Sequence, residues 1–301
     1  MVDNILHNLS TLLRLYSLYG KMDLMWFLRD TRYCLLYMIS DLICSLSSIC
    51  GIFLLSENFG GFGGMNQQEV LFMLSYAVVV QGLYMMFFLG NNTGMVSRII
   101  GRGQLDHAVI QPVPIWIQLM TQGFLPVSSS FTLICGIGML IYSIQNLSAP
   151  VTVTPLWCLV LVINAIASCL IIMAVIYLVS CLAFYAPAAA EEIAQSGLDL
   201  FSVNSYPLGA LGKRERNLFC LLIPIGLTAW VPSQGLITWG RRLAPASAGT
   251  NFSAVMDFPP SLLAPPCMAV FLILLTSFLF KKGMTYYATN GSPRYSGFGH
   301  R

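Results

Sequence analysis

The sequence predicts an all-α polytopic membrane protein with six transmembrane helices, an N-terminal amphipathic interfacial helix and both termini in the cytoplasm. Of its 301 residues, 56% are hydrophobic and only 9% are charged, whereas roughly 25% are charged in an ordinary soluble domain. Several apolar runs exceed the roughly 20 residues that a helix needs to cross a bilayer. Lys and Arg residues are concentrated in alternate connecting segments, which indicates a chain that crosses the membrane repeatedly.

Residues 1–32 form an N-terminal segment, in which residues 4–21 have the periodicity of an amphipathic helix. Its apolar face consists of Ile5, Leu6, Leu9, Leu12, Leu13 and Tyr16. Arg14 and Lys21 lie on the polar face, which suits a helix on the membrane surface. The alternative is a cytoplasmic helix packed against its own protein.

Residues 33–280 form the predicted transmembrane domain. Its six spans cover residues 33–55, 69–89, 115–142, 155–184, 218–239 and 261–280. The fourth span is longer than the bilayer requires, so we expect it to tilt or to project into the cytoplasm. Pro224, Gly226 and Pro232 lie inside the fifth span and predict a kink or break there.

The distribution of basic residues determines the predicted orientation. The loops 56–68 and 143–154 contain no Lys or Arg, and the loop 240–261 contains only two. The other 13 of the 15 basic residues lie in the N-terminal segment, in residues 97–114 and 213–216, and in the tail 281–301. The positive-inside rule therefore predicts that both termini, residues 97–114 and the polar segment 186–217 are cytoplasmic.

Asp41 is the one clear carboxylate within a predicted span. An ionisable residue at membrane depth is a candidate functional site. Asp41 lies only about 12 Å from the cytoplasmic end of its span, at 1.5 Å per residue. We therefore favour a structural or interfacial role for Asp41, and a functional intramembrane polar site is the alternative.

Residues 97–114, which we call the island, are a short polar segment between two long apolar spans. Its two glycines, Gly101 and Gly103, permit a turn. Residues 104–110 can then form two helical turns that end before Pro112 and Pro114. The pattern predicts a short, exposed helix tied to the second and third spans, and an ordinary solvated loop is the alternative.

The sequence lacks the motifs of several functional classes. There is no Gly-x-x-x-x-Gly-Lys-Ser/Thr phosphate-binding motif, so any energy from ATP must come from another subunit. No catalytic cluster, nucleophile elbow or metal-ligand spacing appears, and the nine cysteines are scattered. We therefore expect no enzymatic activity, no metal or cofactor in this chain and no nucleic-acid partner. An ion-coupled carrier, an integral-membrane lipid-modifying enzyme and an assembly scaffold remain as alternatives to an ATP-driven transporter.

Three segments resemble the ABC-2-type export permeases, the membrane subunits of a class of ABC transporters. The island sequence GRGQLDHAVIQPVP resembles their R-x-G-E-L-D-x-x-L-L-x-P-V stretch between the second and third spans. The segment SVNSYPLGALGKRERNLFCLLIPIGLTAWVPSQGLI resembles their Tyr-Pro- and Pro-containing passage into the fifth span. FKKGMTYY is similar to the F-x-x-G-L-x-x-Y after their last span. Gln104 replaces the usual acid, and Gly209-Ala210 stands where a second Tyr-Pro is expected.

The resemblance implies a function and a set of partners. The island would be the coupling helix that docks on a separate ATP-binding P-loop subunit, and the residues at matching positions are Arg102, Gln104, Leu105, Asp106, Pro112 and Pro114. The N-terminal helix would be an interfacial elbow, and the loop 240–261 an outer re-entrant hairpin. Two permease chains, alike or related, would assemble with two ATPase subunits that hold ATP and Mg²⁺. Such an exporter would lie among the lipids of a bacterial plasma (inner) membrane and move an apolar or amphipathic substrate outward.

Overall fold

The computed structural model describes residues 2–89, 96–149, 151–243 and 259–290, and within these ranges the regular structure is helical. The first six helices are α1 (Val2–Arg29), α2 (Thr31–Asn58), α3 (Gln67–Tyr84), α4 (Val96–Gly101), α5 (Leu105–Ile110) and α6 (Ile115–Thr121). The next six are α7 (Ser130–Gln145), α8 (Pro155–Ser180), α9 (Ala190–Ser202), α10 (Lys213–Asn217), α11 (Trp230–Arg242) and α12 (Pro260–Asn290). A π-helical turn, Met85–Leu89, extends α3, and a 3₁₀ turn, Cys181–Phe184, extends α8.

Four described helices are long and apolar enough to cross a membrane, namely α2, α3, α8 and α12 with their extensions. A fifth crossing results if the bent pair Lys213–Leu222 and Pro224–Arg242 counts as one span. The all-helical prediction is confirmed, whereas the number of six spans and the side on which the termini lie stay predictions. The outer-hairpin prediction for the loop 240–261 lies mostly outside the described residues, as does the end of the tail.

The predicted third span, residues 115–142, is divided into two helices. The helix α6 ends at Thr121, a turn follows, and α7 begins at Ser130. Pro126 lies in this turn, and a proline does not continue a helix because it lacks the backbone amide donor. The predicted span is therefore not one continuous helix, and its longer part, α7, is apolar.

The predicted break in the fifth span is confirmed at Pro224. The two helical segments on either side of Ile223 meet at 72°. A proline removes a backbone donor and clashes with the preceding turn, which explains the position of the bend. Pro232 lies in the first turn of α11, where its missing amide costs no intrahelical hydrogen bond.

The core is built around α3 and α8, with α7, α11 and α12 packed on them. At Gly82 and Gly136 the backbones of α3 and α7 approach so closely that an added Cβ would lie within 3 Å of the other helix. Close contact through small residues is the usual way in which membrane helices pack. Buried polar groups pair across the bundle: Tyr76 with the Ser168 hydroxyl at 3.1 Å, and the Trp157 indole with the Leu236 carbonyl at 3.0 Å.

The helix α1 packs against the protein through Tyr16. Its ring makes edge-to-face contacts with Phe87 and Phe124, and its hydroxyl donates to the Met120 carbonyl at 3.2 Å. Burial raises the pKa of Tyr16, so the hydroxyl stays a neutral donor. The predicted helix 4–21 is therefore present and longer than expected, and part of it contacts its own chain as the alternative interpretation proposed.

One prediction about orientation is contradicted. We expected the whole of residues 186–217 on the island's side of the membrane and the loop 56–68 on the other. The segment after α9 instead contacts that loop: a Cβ on Gly63 would lie 2.9 Å from Pro207 Cβ, and a Cβ on Gly209 would collide with the Gly63 carbonyl. Segments on opposite faces of a hydrocarbon core of about 30 Å cannot touch.

The physical reason is the apolar face of α9. The helix begins beside Gly101 of the island and runs back along α8, with Leu198 and Phe201 packed into the core. A count of the charged residues in a polar segment does not reveal that one side of its helix is apolar. The basic residues 213–216 follow this return, so they no longer support the predicted orientation.

Candidate functional site

The island forms two short helices joined by a tight turn. The chain runs through α4, turns at residues 102–104 and continues as α5. Gly103 has φ +66°, a conformation that residues with a side chain rarely adopt. The predicted helix at 104–110 is confirmed as α5, Leu105–Ile110, and residues 111–114, from the extended Gln111 to Pro114, separate it from α6.

The inner side of the island is buried. Val96, Ile100 and Leu105 are completely inaccessible and belong to a cluster that also includes Phe184 and Tyr287. From the sequence we expected the island to be connected only to the second and third spans. The structure also packs it against the end of α8 and against α9 and α12, so a displacement of the island bears on those helices as well.

Two arginines of the island share one carboxylate of α9. Arg98 forms an ion pair with Glu191, and Arg102 Nη2 lies 2.7 Å from Glu191 Oε1. The groups are partly exposed, so each pair contributes no more than about 1 kcal/mol. The Arg102 guanidinium therefore has a partner within the chain, which the resemblance alone does not indicate.

The helix α5 is held at both ends. At its first turn, Asp106 Oδ1 accepts a hydrogen bond of 2.9 Å from the Tyr287 hydroxyl of α12. At its last turn, the Gln118 amide of α6 donates to the carbonyls of Ala108 at 3.0 Å and Val113 at 2.6 Å. The Gln118 side chain thus satisfies the Ala108 carbonyl, one of those that the end of a helix leaves without intrahelical partners.

The outer side of the island is exposed and includes several apolar side chains. Ile110 is 80% exposed and Val109 is 50% exposed. We call the exposed surface the docking face, and it consists of Gln104, Val109, Ile110, Gln111, Pro112 and Pro114. Exposed apolar side chains that lie together on a folded surface are typical of a contact with another protein.

The predicted site residues therefore fall into two groups. Gln104, Pro112 and Pro114 lie on the docking face. Leu105 is buried, and Arg102 and Asp106 bind other parts of the same chain. The first group is exposed, and the second group holds the island in place through contacts within the chain.

Sequence reasoning missed the partners of the island: Glu191, Gln118 and Tyr287. Glu191 was one of several charges in a polar segment, and nothing in its spacing linked it to residues about 90 positions earlier. Gln118 carried a usable signal, since an amide inside an apolar span needs a partner. Tyr287 lies in the FKKGMTYY motif, which the resemblance identified without assigning a contact.

Asp41 has a structural partner and also faces a cavity. Its Oδ2 accepts a hydrogen bond of 2.8 Å from the Thr132 hydroxyl of α7. The cavity has a volume of about 410 Å³ and lies between α2, α3, α8 and α9. Its polar side chains are Asp41, Ser45, Gln81, Asn204 and Ser205, and its remaining wall is mainly apolar.

A second carboxylate, Asp23, has a purely structural environment. It is 3% exposed and accepts hydrogen bonds from the amides of Val127 at 2.7 Å and Ser128 at 3.1 Å and from the Ser128 hydroxyl. These donors belong to the turn between α6 and α7. Asp23 thus fixes the break in the predicted third span.

Among the described residues, no group of three or more His, Cys, Asp or Glu side chains could hold a metal ion.

Comparison with known proteins gives a family for most of the chain. Residues 42–291 match the model of a family described as ABC-2 family transporter protein. The matched region includes the island, α9 and the whole of α12. No curated protein and no solved structure matches the chain.

Proposed function

The chain belongs to the ABC-2 transporter family, and from that premise we propose that the docking face binds the ATPase subunit. The family makes the chain an integral membrane protein and a permease component of an ABC transporter rather than an enzyme. Membership of the family implies association with an ABC ATPase. The observation that carries the proposal is the apolar surface around Ile110, which nothing in the described residues covers.

The contacts around the island support a route for force. Gln118 attaches α5 to α6, Tyr287 attaches it to α12, and Glu191 attaches the preceding turn to α9. A push on the docking face would therefore move three elements of the bundle together. Closure of two ATPase subunits on ATP and Mg²⁺ would supply the push, and two permease chains would form the pathway.

We further propose export of an amphipathic cargo from a bacterial inner membrane. The cavity at Asp41 combines five polar side chains with an apolar wall, a lining that suits a molecule with a polar head and an apolar body. The outward direction follows from the resemblance to export permeases. A transport assay in which only a strongly charged soluble solute is moved would contradict the cargo class.

Co-purification tests the docking proposal. We expect a P-loop ATPase to co-purify with the full chain in mild detergent. Ile110→Asp should abolish this association because it places a charge in an apolar contact, and Ile110→Leu should retain it as the matched control. Unchanged association of Ile110→Asp would overturn the proposal.

Arg102 and Asp106 are less suitable than Ile110 for testing the ATPase contact. Replacing Arg102 and Asp106 with Ala would weaken association whether these residues bind the ATPase or only position the island. Ile110 has no such ambiguity because its side chain is 80% exposed and supports no internal contact of the kind that Leu105 makes. Membrane insertion and thermal stability of Ile110→Asp should equal those of the unmodified chain.

A further inference from the structure

A groove, separate from the cavity at Asp41, lies between α6, α8 and α12. Its volume is about 640 Å³, and its wall is almost entirely apolar. The side chains that form most of it are Leu119, Leu170, Met173, Ile273, Phe280 and Met284. We call this feature the α6–α12 groove.

The polar groups in the wall are already satisfied. The Tyr177 hydroxyl donates to the Leu119 carbonyl at 3.4 Å, Thr276 donates to the Ala174 carbonyl at 3.0 Å, and Ser277 donates to the Ile273 carbonyl at 2.7 Å. An occupant therefore meets a hydrocarbon-like surface along the length of the groove. A ligand with polar groups distributed along its body would leave them without partners.

One charged side chain, that of Lys281, lies at the rim of the α6–α12 groove. Lys281 lines the groove at the end nearest the island and is exposed, and the ion pairs of the described residues do not include it. Trp116 lies at the same end, 51% exposed. A lysine beside a tryptophan is typical of the level at which lipid headgroups meet the hydrocarbon core.

The length of the groove matches one leaflet. Along α12 the stretch from Ile273 to Lys281 is about 12 Å long at 1.5 Å per residue. The hydrocarbon core of a bilayer is about 30 Å thick, so this stretch covers most of one leaflet of about 15 Å. The exposed surface of α12 beside it is also apolar, with Leu274 and Phe278 each 66% exposed.

We propose that the α6–α12 groove binds one acyl chain of an anionic phospholipid, whose phosphate lies beside Lys281. The apolar wall accommodates the chain, and the single lysine selects the charge of the headgroup. The leaflet is the one on the island's side. This site requires only that the chain is embedded in a membrane, which its family establishes, and it is independent of the ATPase contact.

The position of the site allows a bound lipid to affect the island. The helices α6 and α12 carry Gln118 and Tyr287, which hold the two ends of α5. An acyl chain between these helices sets their separation. Occupancy of the groove therefore fixes the position of the island, and loss of the lipid lets α6 and α12 approach each other.

Fluorescence quenching tests the site without the ATPase. The full chain is reconstituted in phosphatidylcholine vesicles that contain a small fraction of dibrominated phosphatidylglycerol or, for comparison, dibrominated phosphatidylcholine. The signal of Trp116 is obtained by subtracting the spectrum of Trp116→Phe. We expect the phosphatidylglycerol to quench Trp116 at lower concentration than the phosphatidylcholine does.

Two pairs of variants make the test specific. Lys281→Gln should lower the apparent affinity for the anionic lipid about fivefold, the effect of one basic residue near a charged surface. Lys282→Gln removes the neighbouring exposed charge, which does not line the groove, and should leave the affinity unchanged. Ser277→Phe fills the groove and should remove the quenching, whereas Leu274→Phe on the outer face should not.

Three results would overturn the proposal. Equal quenching by the two brominated lipids would show ordinary contact with the bilayer. Equal effects of Lys281→Gln and Lys282→Gln would show a general attraction of the basic segment. A Trp116 signal that neither lipid reaches would show that another protein chain covers the groove.

Discussion

The Tyr287 hydroxyl donates a hydrogen bond of 2.9 Å to Asp106 Oδ1, and the two residues are 181 positions apart in the sequence. Each lies in a segment that resembles a motif of the family: Asp106 in GRGQLDHAVIQPVP and Tyr287 in FKKGMTYY. The bond joins the island to the last helix of the bundle. Two separate motifs therefore form one contact that positions the docking face.

Removing this hydrogen bond should loosen α5. In Tyr287→Phe the ring keeps its contact with Phe184, but Asp106 loses a donor. A hydrogen bond to a charged group contributes about 1.5–3 kcal/mol, so amide hydrogen exchange in α5 should rise. Tyr286→Phe is the matched control, because Tyr286 is exposed and contacts Tyr185 through its ring. Equal exchange in the two variants would show that the Tyr287–Asp106 bond does not hold α5.

Glu191→Gln should release the turn that precedes α5. The change removes the partner of both Arg98 and Arg102. Because the pairs are partly exposed, the expected cost is about 1 kcal/mol, or about fivefold faster exchange at the amides of Arg102 and Gly103. High salt should reduce the difference. Glu192→Gln, which changes the neighbouring exposed carboxylate, should leave the exchange unaltered, and an equal increase there would contradict the assignment.

Asp23→Ala should destabilise the protein strongly. The change leaves the part-buried amide of Val127 and the buried amide of Ser128 without an acceptor, and an unsatisfied buried donor costs about 1–3 kcal/mol. Thermal unfolding in detergent should therefore occur at a clearly lower temperature. Asp30→Ala is the control, since Asp30 is exposed and its ion pair is with the exposed Arg29. Similar melting of both variants would exclude the role of Asp23 in fixing the turn.

Gly209→Ala tests the contact that overturned the predicted orientation. The added methyl group would collide with the Gly63 carbonyl, so the variant should lose about 1–3 kcal/mol of stability. Gly138 lies in α7 with nothing within 4 Å of its Cβ position. Gly138→Ala should therefore be neutral or stabilising by about 0.5–1 kcal/mol. A Gly209→Ala variant as stable as Gly138→Ala would mean that the two loops are not in contact.

The same contact explains a departure from the family pattern. Gly209 stands where the resemblance leads one to expect a tyrosine. In this chain any side chain at 209 would overlap the backbone at Gly63, which itself has φ +64°. The glycine at 209 is therefore required by the loop that it meets.

Composition and periodicity predicted the helical class, the long spans, the break at Pro224 and the short helix after Gly103. These features depend on local chain chemistry, such as proline geometry and apolar run length. The return of α9 towards Gly63 and the contacts at Glu191, Gln118 and Tyr287 depend on packing between distant segments. A single sequence does not contain that information in its spacing, although the polar Gln118 in an apolar run marked one end of such a contact.

Photo-cross-linking at position 110 tests the central claim most directly. A benzophenone amino acid replaces Ile110, which is 80% exposed on the docking face, and is irradiated in intact membranes. The control places the same group at Leu274, which is 66% exposed on α12 and lies outside the island. We predict adducts with an ATP-binding P-loop subunit at position 110 and none at position 274. Adducts at position 110 that contain only lipid or this chain itself would contradict the claim that the island receives the ATPase.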